Sequence, residues 1–265
     1  MRRRLFGLDV DGTLARSDSS IADPVVAEVR RLAEQGHEVV IATGRSVRHT
    51  LPILERLGIT PEWVVCANGA IVLRRDGSSV SGYRHEFVET FNPRDVLTTI
   101  SSHLLTARYA VEDEGGALWY TEPFTDEGFG FEGHQVPFEE LMDRQVTRIV
   151  VISPDHDLEE FLEIVQTMGL SQVSYSVGWT AWLDIAPDGV DKSTGLEKVR
   201  ERVGVPLADV VVVGDGRNDI GMFRWARRSG VAVAMGQAPE DVAEAAGRSI
   251  GTVQEDGLAA FLAEF

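Results

Sequence analysis

Hydrophobic and polar positions along this 265-residue chain follow two alternating periods. Leu5, Phe6 and Leu8, with Val10 beyond, and the apolar runs at 39–42, 63–66 and 210–213 predict strands covered on both faces, as in a parallel sheet. Between them, Val25, Val26, Val29, Leu32 and Ala33 recur at helical spacing, behind Asp23-Pro24 and ahead of Gly36. An Asp or Ser cap, Pro in the first turn and Gly at the end would delimit that helix. Ser46 is the expected cap of a second helix running to about Leu57, with Gly58 behind it. Ile71-Val72-Leu73 and Val80-Ser81-Gly82-Tyr83 flank Asp76-Gly77, a β-hairpin signal.

From about residue 86 to residue 186 the texture changes. A helix at about 93–105 precedes a stretch of mixed aromatic and glycine content at 109–133. A strand at 148–152, a helix at 157–168 and two strands within 171–185, joined by Gly178-Trp179, follow. Strands and helices linked by hairpin turns predict a separate α+β module. The first rhythm then resumes, with helices near Lys192 and Asn218, strands at 210–213 and 231–233, and helices at 239–246 and over the last residues. The expected architecture is α/β: a doubly wound parallel-sheet, Rossmann-like core from residues 1–85 and 187–265, with an α+β cap inserted at 86–186.

Composition adds exclusions. With 43% hydrophobic and 25% charged residues, the chain is an ordinary globular one, long enough to bury a core without staples. A net charge of −17 argues against nucleic acid as a partner, because phosphate backbones are captured by basic faces. It also means that a small anionic substrate needs local positive charge. Cys66 is the single cysteine, which leaves no internal disulfide, suits a reducing cytosol and marks a small buried hydrophobe. Met1-Arg2-Arg3-Arg4 resembles the basic start of a signal peptide, but Asp9 breaks the apolar run behind it too early. No apolar stretch approaches membrane-spanning length. The expected location is the cytoplasm, with no membrane partner and an assembly no larger than a monomer or weak homodimer.

Chemistry collects where the core elements end. Asp9 and Asp11 follow the first strand at i, i+2, so both can face one site, and Gly12 lets the backbone turn away. A wet Asp-Gly turn is the plain alternative, but two like charges held this close are costly unless a cation or a proton relieves them. Thr43 follows the second strand, Lys192 opens a helix, and Gly214-Asp215-Gly216-Arg217-Asn218-Asp219 follows the strand at 210–213. In a doubly wound sheet these ends can meet in one crevice. Carboxylates without nearby His or Cys are hard oxygen ligands, suited to magnesium rather than zinc.

These motifs together resemble the haloacid dehalogenase (HAD) superfamily of phosphohydrolases, in the Cof-type branch with the type IIB α/β cap. The carrying residues are Asp9-Val10-Asp11-Gly12-Thr13-Leu14, Thr43-Gly44-Arg45, Lys192 and Gly214-Asp215-Gly216-Arg217-Asn218-Asp219. Asn68-Gly69-Ala70, Leu183-Asp184-Ile185-Ala186-Pro187 and Ala234-Met235-Gly236 extend the match over nearly the whole chain. The resemblance implies a phosphomonoester hydrolase acting on a small phosphorylated metabolite, sugar phosphates in the first place, with Mg2+ as cofactor. It implies Asp9 as the nucleophile and Asp11 as the acid, then base. Magnesium would be held by the Asp9 carboxylate, the Asp11 backbone carbonyl and the Asp215 carboxylate, with Asp219 in the outer shell. Thr43, Gly44, Lys192 and Asn218 would bind the phosphoryl group, and Asn68 would face the substrate. A carboxylate approaching a phosphate dianion meets a repulsion of about 4 kcal/mol per charge pair at roughly 4 Å in an effective dielectric of about 20. Uncancelled, that alone slows attack about a thousandfold.

Other readings are weaker. A dinucleotide fingerprint at Gly214-x-Gly216 fails because its third glycine would fall at Asp219. A calcium loop at Asp9 has its glycine two positions early and no closing Glu. Arg45 is a candidate substrate contact, with a solvated first-turn side chain as the alternative. Trp119, Tyr120, Trp179 and Trp182 are candidate pocket residues or cap core, and Asp184 a hinge or a substrate contact. Gln237 stands where the resemblance expects Asn, and Gly221 where a bulkier or small polar residue is usual; these departures bear on loop details and on specificity. A phosphotransferase of phosphomannomutase type and a catalytically silent binding protein remain as alternatives.

Overall fold

The computed structural model describes residues 2–123, 133–170, 173–178 and 180–265. In chain order the first elements are β1 (Leu5–Leu8), α1 (Asp23–Glu34), β2 (Glu38–Ala42), α2 (Val47–Leu57), β3 (Trp63–Cys66), β4 (Ile71–Arg75) and β5 (Tyr83–Val88). Next come α3 (Arg94–His103), β6 (Arg108–Asp113), β7 (Leu118–Tyr120), β8 (Gly133–Gln135), α4 (Phe138–Leu141), β9 (Val146–Ile152), α5 (Leu158–Thr167), β10 (Val173–Val177) and β11 (Trp182–Pro187). The chain closes with α6 (Lys192–Val203), β12 (Val210–Gly214), α7 (Ile220–Ala226), β13 (Val231–Ala234), α8 (Glu240–Ala246) and α9 (Gly257–Leu262). The residues group into two compact units, Met1–Phe87 with Asp191–Phe265, and Val88–Val190.

The first unit is built on a sheet ordered β13-β12-β1-β2-β3-β4-β5. Its first five strands run parallel, and β4 turns back antiparallel on β3. The α/β expectation is borne out, with a hairpin added at one edge. That hairpin differs in extent from the expected one: Val80 is fully exposed in the turn, and the second strand begins only at Tyr83. The parallel strands are covered on both faces. Leu5, Val40, Val65 and Val212 pack with Leu196 and Val199 of α6 and with Met222 and Phe223 of α7. On the other face the Phe6 ring meets His37 and Phe265 edge-on.

Helix ends show where local signals decide and where they do not. Pro24 sits in the first turn of α1, yet the cap position is Ala22, with no side-chain cap bond, rather than the expected Asp or Ser. Ser46 does occupy the cap of α2, but its hydroxyl pairs with His49 Nδ1 at 2.8 Å instead of with the backbone. Gly58 ends α2 in the left-handed conformation.

The second unit has a sheet ordered β10-β11-β9-β6-β7-β8, antiparallel except between β7 and β8. Alternate residues of its strands, Tyr109, Val111, Ile149, Val151, Leu183 and Ile185, pack with Leu97 and Ile100 of α3 and Phe161 of α5. Asp157 caps α5 by accepting the backbone N–H groups of Glu159 and Glu160 at 2.9 and 3.0 Å. No helix among the described residues is long and apolar enough to cross a membrane.

Candidate active site

The chain leaves β1 on one side toward β2 and β3, and returns on the other as β12 and β13, so β1 and β12 flank the switch point of the sheet. Ligands of doubly wound sheets bind in the crevice beyond the strand ends at that point. The register pairs Leu8 with Val213, and the Asp9 N–H donates to the Val213 carbonyl at 3.0 Å. Asp9 and Asp215 therefore stand just past the ends of two neighbouring strands. The third participant comes from a helix start. The Asp191 carboxylate accepts the N–H groups of Ser193 and Thr194 at 2.8 and 3.2 Å, and the Thr194 hydroxyl accepts from the Asp191 N–H at 3.3 Å. This capping box fixes the first residue of α6, Lys192. Its Nζ donates to Asp9 Oδ1 at 2.6 Å and to Asp219 Oδ1 at 2.7 Å, with all three side chains buried.

The charge balance of this cluster is negative. Asp9, Asp215 and Asp219 each bring a carboxylate oxygen within 4.8 Å of the others, and a single buried ammonium serves them. Burial pushes the Asp9 carboxyl well above its ordinary value against the pull of Lys192, and Asp219 and Asp215 push it further. Burial, then Asp219, raises Asp215 to about 7. Burial opposes the charge on Lys192, yet Asp219 and Asp9 hold its proton more tightly than usual. A hard divalent cation relieves such a set, and oxygen donors without His or Cys fit magnesium. Asp219 fits a holding role rather than a direct ligand. Its Oδ1 is on Lys192, and its Oδ2 accepts the N–H groups of Asp215 and Gly216 at 2.9 Å each.

The Asp11 carboxylate lies outside this buried trio; its side chain is 61% exposed. Arg45 grips it with both arms, Nε to Oδ2 at 2.9 Å and Nη2 to Oδ1 at 2.5 Å. Thr43 is fully buried, and its hydroxyl accepts the Arg45 N–H at 3.1 Å, which leaves the hydroxyl proton to be donated elsewhere. Asn68 sits in a single 3-10 turn, with φ +51, after β3. Its Oδ1 accepts from Asn218 Nδ2 at 3.0 Å, and its amide packs on Gly44, where an added Cβ would stand 3.1 Å from that Oδ1. Thr43, Gly44, Asn68 and Asn218 are thereby brought together, although they come from three separate loops.

Some expectations change. Asp184 is no hinge: it lies mid-strand in β11, paired with Ser176 and Val150, with its Oδ2 3.6 Å from Arg148 Nη1. Trp119 stacks on His134 and under Arg144, and its Nε1 donates to Asp113 at 3.1 Å, so it belongs to the packing of its own unit. Tyr120 and Trp182 are half-buried around Ala110 and Val150. Trp179 lies outside the described residues. Asp191 was not singled out by sequence, although Asp191-Lys192-Ser193-Thr194 carries an Asp-x-x-Thr pattern that signals a reciprocal cap. Gly221 has a reason too: a Cβ there would lie 2.0 Å from Asp191 Oδ2, so the capping carboxylate uses the space.

The family model for haloacid dehalogenase-like hydrolases matches residues 6–262. The chain is 28% identical to 5-amino-6-(5-phospho-D-ribitylamino)uracil phosphatase YitU of Bacillus subtilis, over 98% of this chain and 97% of that one. It is 27% identical to an HMP-PP phosphatase of Yersinia enterocolitica, over 98% and 94%. The solved structure of the HAD subclass IIB sugar phosphatase BT4131 superposes with a TM-score of 0.81 at 22% identity, covering 99% of this chain and 98% of that one, which shows a shared fold. The chain belongs to the haloacid dehalogenase-like hydrolase family, and these relatives of it are phosphatases.

Proposed function

We propose that this protein is a magnesium-dependent phosphomonoester hydrolase that forms an aspartyl-phosphate on Asp9 and acts on a small phosphorylated metabolite, sugar phosphates first. The observation that carries the reading is the buried Lys192 bridging Asp9 and Asp219, with Asp215 alongside, at the switch point of the sheet. The Asp9 and Asp215 carboxylates and the Asp11 carbonyl would hold magnesium, which would supply positive charge to offset the repulsion between carboxylate and phosphate.

The residues divide the work by their surroundings. Lys192 holds Asp9 Oδ1, which leaves Oδ2 as the oxygen proposed to attack phosphorus. As the Asp9–phosphorus bond forms and the ester P–O bond breaks, Asp11, carrying a proton on one oxygen while Arg45 keeps the other, gives that proton to the leaving alkoxide. Asp11 then takes a proton from the water that attacks the aspartyl-phosphate, releasing phosphate and free Asp9. Its solvent exposure suits a group that must exchange protons twice per turnover. The Thr43 proton and the Lys192 ammonium are the proposed partners of the phosphoryl oxygens, a reading supported by the Asn68–Asn218 pair beside Gly44. The α+β unit is the proposed source of leaving-group preference.

The test is inorganic phosphate release from sugar phosphates, nucleotides, p-nitrophenyl phosphate and the phosphoribitylamino-uracil that names the Bacillus relative, each with Mg2+ and with chelator. Release that requires Mg2+ supports the reading, and the fastest ester defines the substrate class. Phosphate moved to a sugar hydroxyl instead of water would make the protein a phosphotransferase. No turnover of any ester would leave it a binding protein.

A further inference from the structure

Gln237, on the loop after β13 and directly behind Ala234-Met235-Gly236, reaches the site from the far side of β12. Its Nε2 donates to the Gly12 carbonyl at 2.5 Å and to Asp215 Oδ2 at 3.1 Å, while its Oε1 accepts the Val253 N–H at 3.1 Å. The orientation of the amide is not arbitrary. A carbonyl can only accept and a backbone N–H can only donate, so the NH2 end must face Gly12 and Asp215. One side chain thus ties three loops: the turn after β1, the loop after β12, and the segment at 251–253.

The tie matters because the two loops it joins touch without slack. Gly12 has φ +75, and a Cβ built on it would fall 1.8 Å from Asp215 Oδ2. The Asp215 carboxylate therefore lies directly on the Gly12 backbone, next to the peptide that carries the Asp11 carbonyl. The anchor of the amide is itself fixed: the Gly236 N–H donates to the Gly251 carbonyl at 3.2 Å, and Arg16 ties Asp256 at 2.8 Å. A neutral amide can hold a carboxylate in place without competing for it as a charged partner would, which leaves the negative charge for a cation.

We propose that Gln237 is a positioning residue that presets the Asp215 carboxylate and the Asp11-Gly12 turn for the divalent cation, using the 251–253 loop as its anchor. This rests on the metal-dependent reading of the site. Groups that orient metal ligands commonly alter affinity about 10- to 100-fold when removed.

The experiment is Mg2+ titration of the metal-free protein by calorimetry, on wild type, Gln237→Met and Gln237→Asn, with the unfolding midpoint of each. Methionine keeps the length and volume but not the amide. The expected result is an Mg2+ dissociation constant raised about tenfold or more in Gln237→Met, with a midpoint close to wild type, and an intermediate constant in Gln237→Asn, which keeps a shorter amide. Equal affinity in wild type and Gln237→Met overturns the assignment while leaving the metal site intact. If wild type binds no Mg2+, the metal-dependent reading itself fails and takes this inference with it. Should Gln237→Met not fold, Gln237→Asn decides alone: an affinity equal to wild type overturns the proposal.

Discussion

Arg45 holds Asp11 by both carboxylate oxygens, in a two-pronged contact between the loop after β2 and the turn after β1. The guanidinium fork matches a carboxylate in a way that an ammonium cannot. With Asp11 largely exposed, the pair contributes at most about 1 kcal/mol to stability; its effect is on where Asp11 points. Arg45→Ala and Arg45→Lys should therefore keep the wild-type unfolding midpoint while phosphate release falls about tenfold or more, as expected when an acid–base group is misplaced. Full activity in Arg45→Lys would show that charge alone, not the fork, is what Asp11 needs.

Lys192 makes the opposite prediction, one of stability. It is fully buried between two buried carboxylates, so removing it strands charges that pair with no other ammonium among the described residues. Breaking such a pair from one side costs roughly 3–5 kcal/mol. Lys192→Met should lose about 3 kcal/mol in denaturant unfolding of the metal-free protein. A midpoint within error of wild type would mean that the buried cluster does without the ammonium at little cost.

Gly221 offers a test of sign. It lies within α7, where alanine is the better helix former by about 1 kcal/mol. A Cβ there meets Asp191 Oδ2 at 2.0 Å, and that carboxylate is short and engaged in capping α6. Loss of such a cap costs roughly 0.5–2 kcal/mol. Gly221→Ala should lower both the unfolding midpoint and phosphate release, because the cap sets where Lys192 stands. A raised midpoint, as propensity alone expects, would contradict this.

Alkaline titration probes two tyrosines. Burial pushes both the Tyr83 and the Tyr109 hydroxyls up to about 12 from 10.0. They donate to the Pro61 and Leu104 carbonyls at 2.9 Å each. With folded values raised above unfolded ones, their contribution to stability is complete below pH 10 and is lost as pH rises through about 12. Tyrosinate absorbance at high pH should show a late step near pH 12 that shrinks in Tyr83→Phe and in Tyr109→Phe. Titration of both groups near 10 would contradict their burial.

What the sequence disclosed and what it hid divide along a physical line. The parallel strands, and the polar residues at their ends, were legible because unbroken apolar runs have few other uses and each motif sits where one stops. Asp9 and Asp215 converge for that reason, and Lys192 joins them from the start of α6. The direction of Arg45 was not legible, since a first-turn arginine can reach solvent, substrate or a neighbouring loop with the same local pattern. Gln237 was hidden more deeply: its partner Gly12 lies 225 positions away, and only the fold brings the loops together. Asp184 stayed open between hinge and substrate contact because nearness to a domain junction in sequence says nothing of its place in the middle of a strand.

The central claim is that Asp9 is the atom donor to phosphorus. Its most direct test is phosphate release from the fastest ester of the panel by wild type and Asp9→Asn at saturating Mg2+, with circular dichroism on both. The account predicts a folded variant whose release is lower by at least about a thousandfold. A folded Asp9→Asn that keeps a sizeable share of the wild-type rate would contradict it.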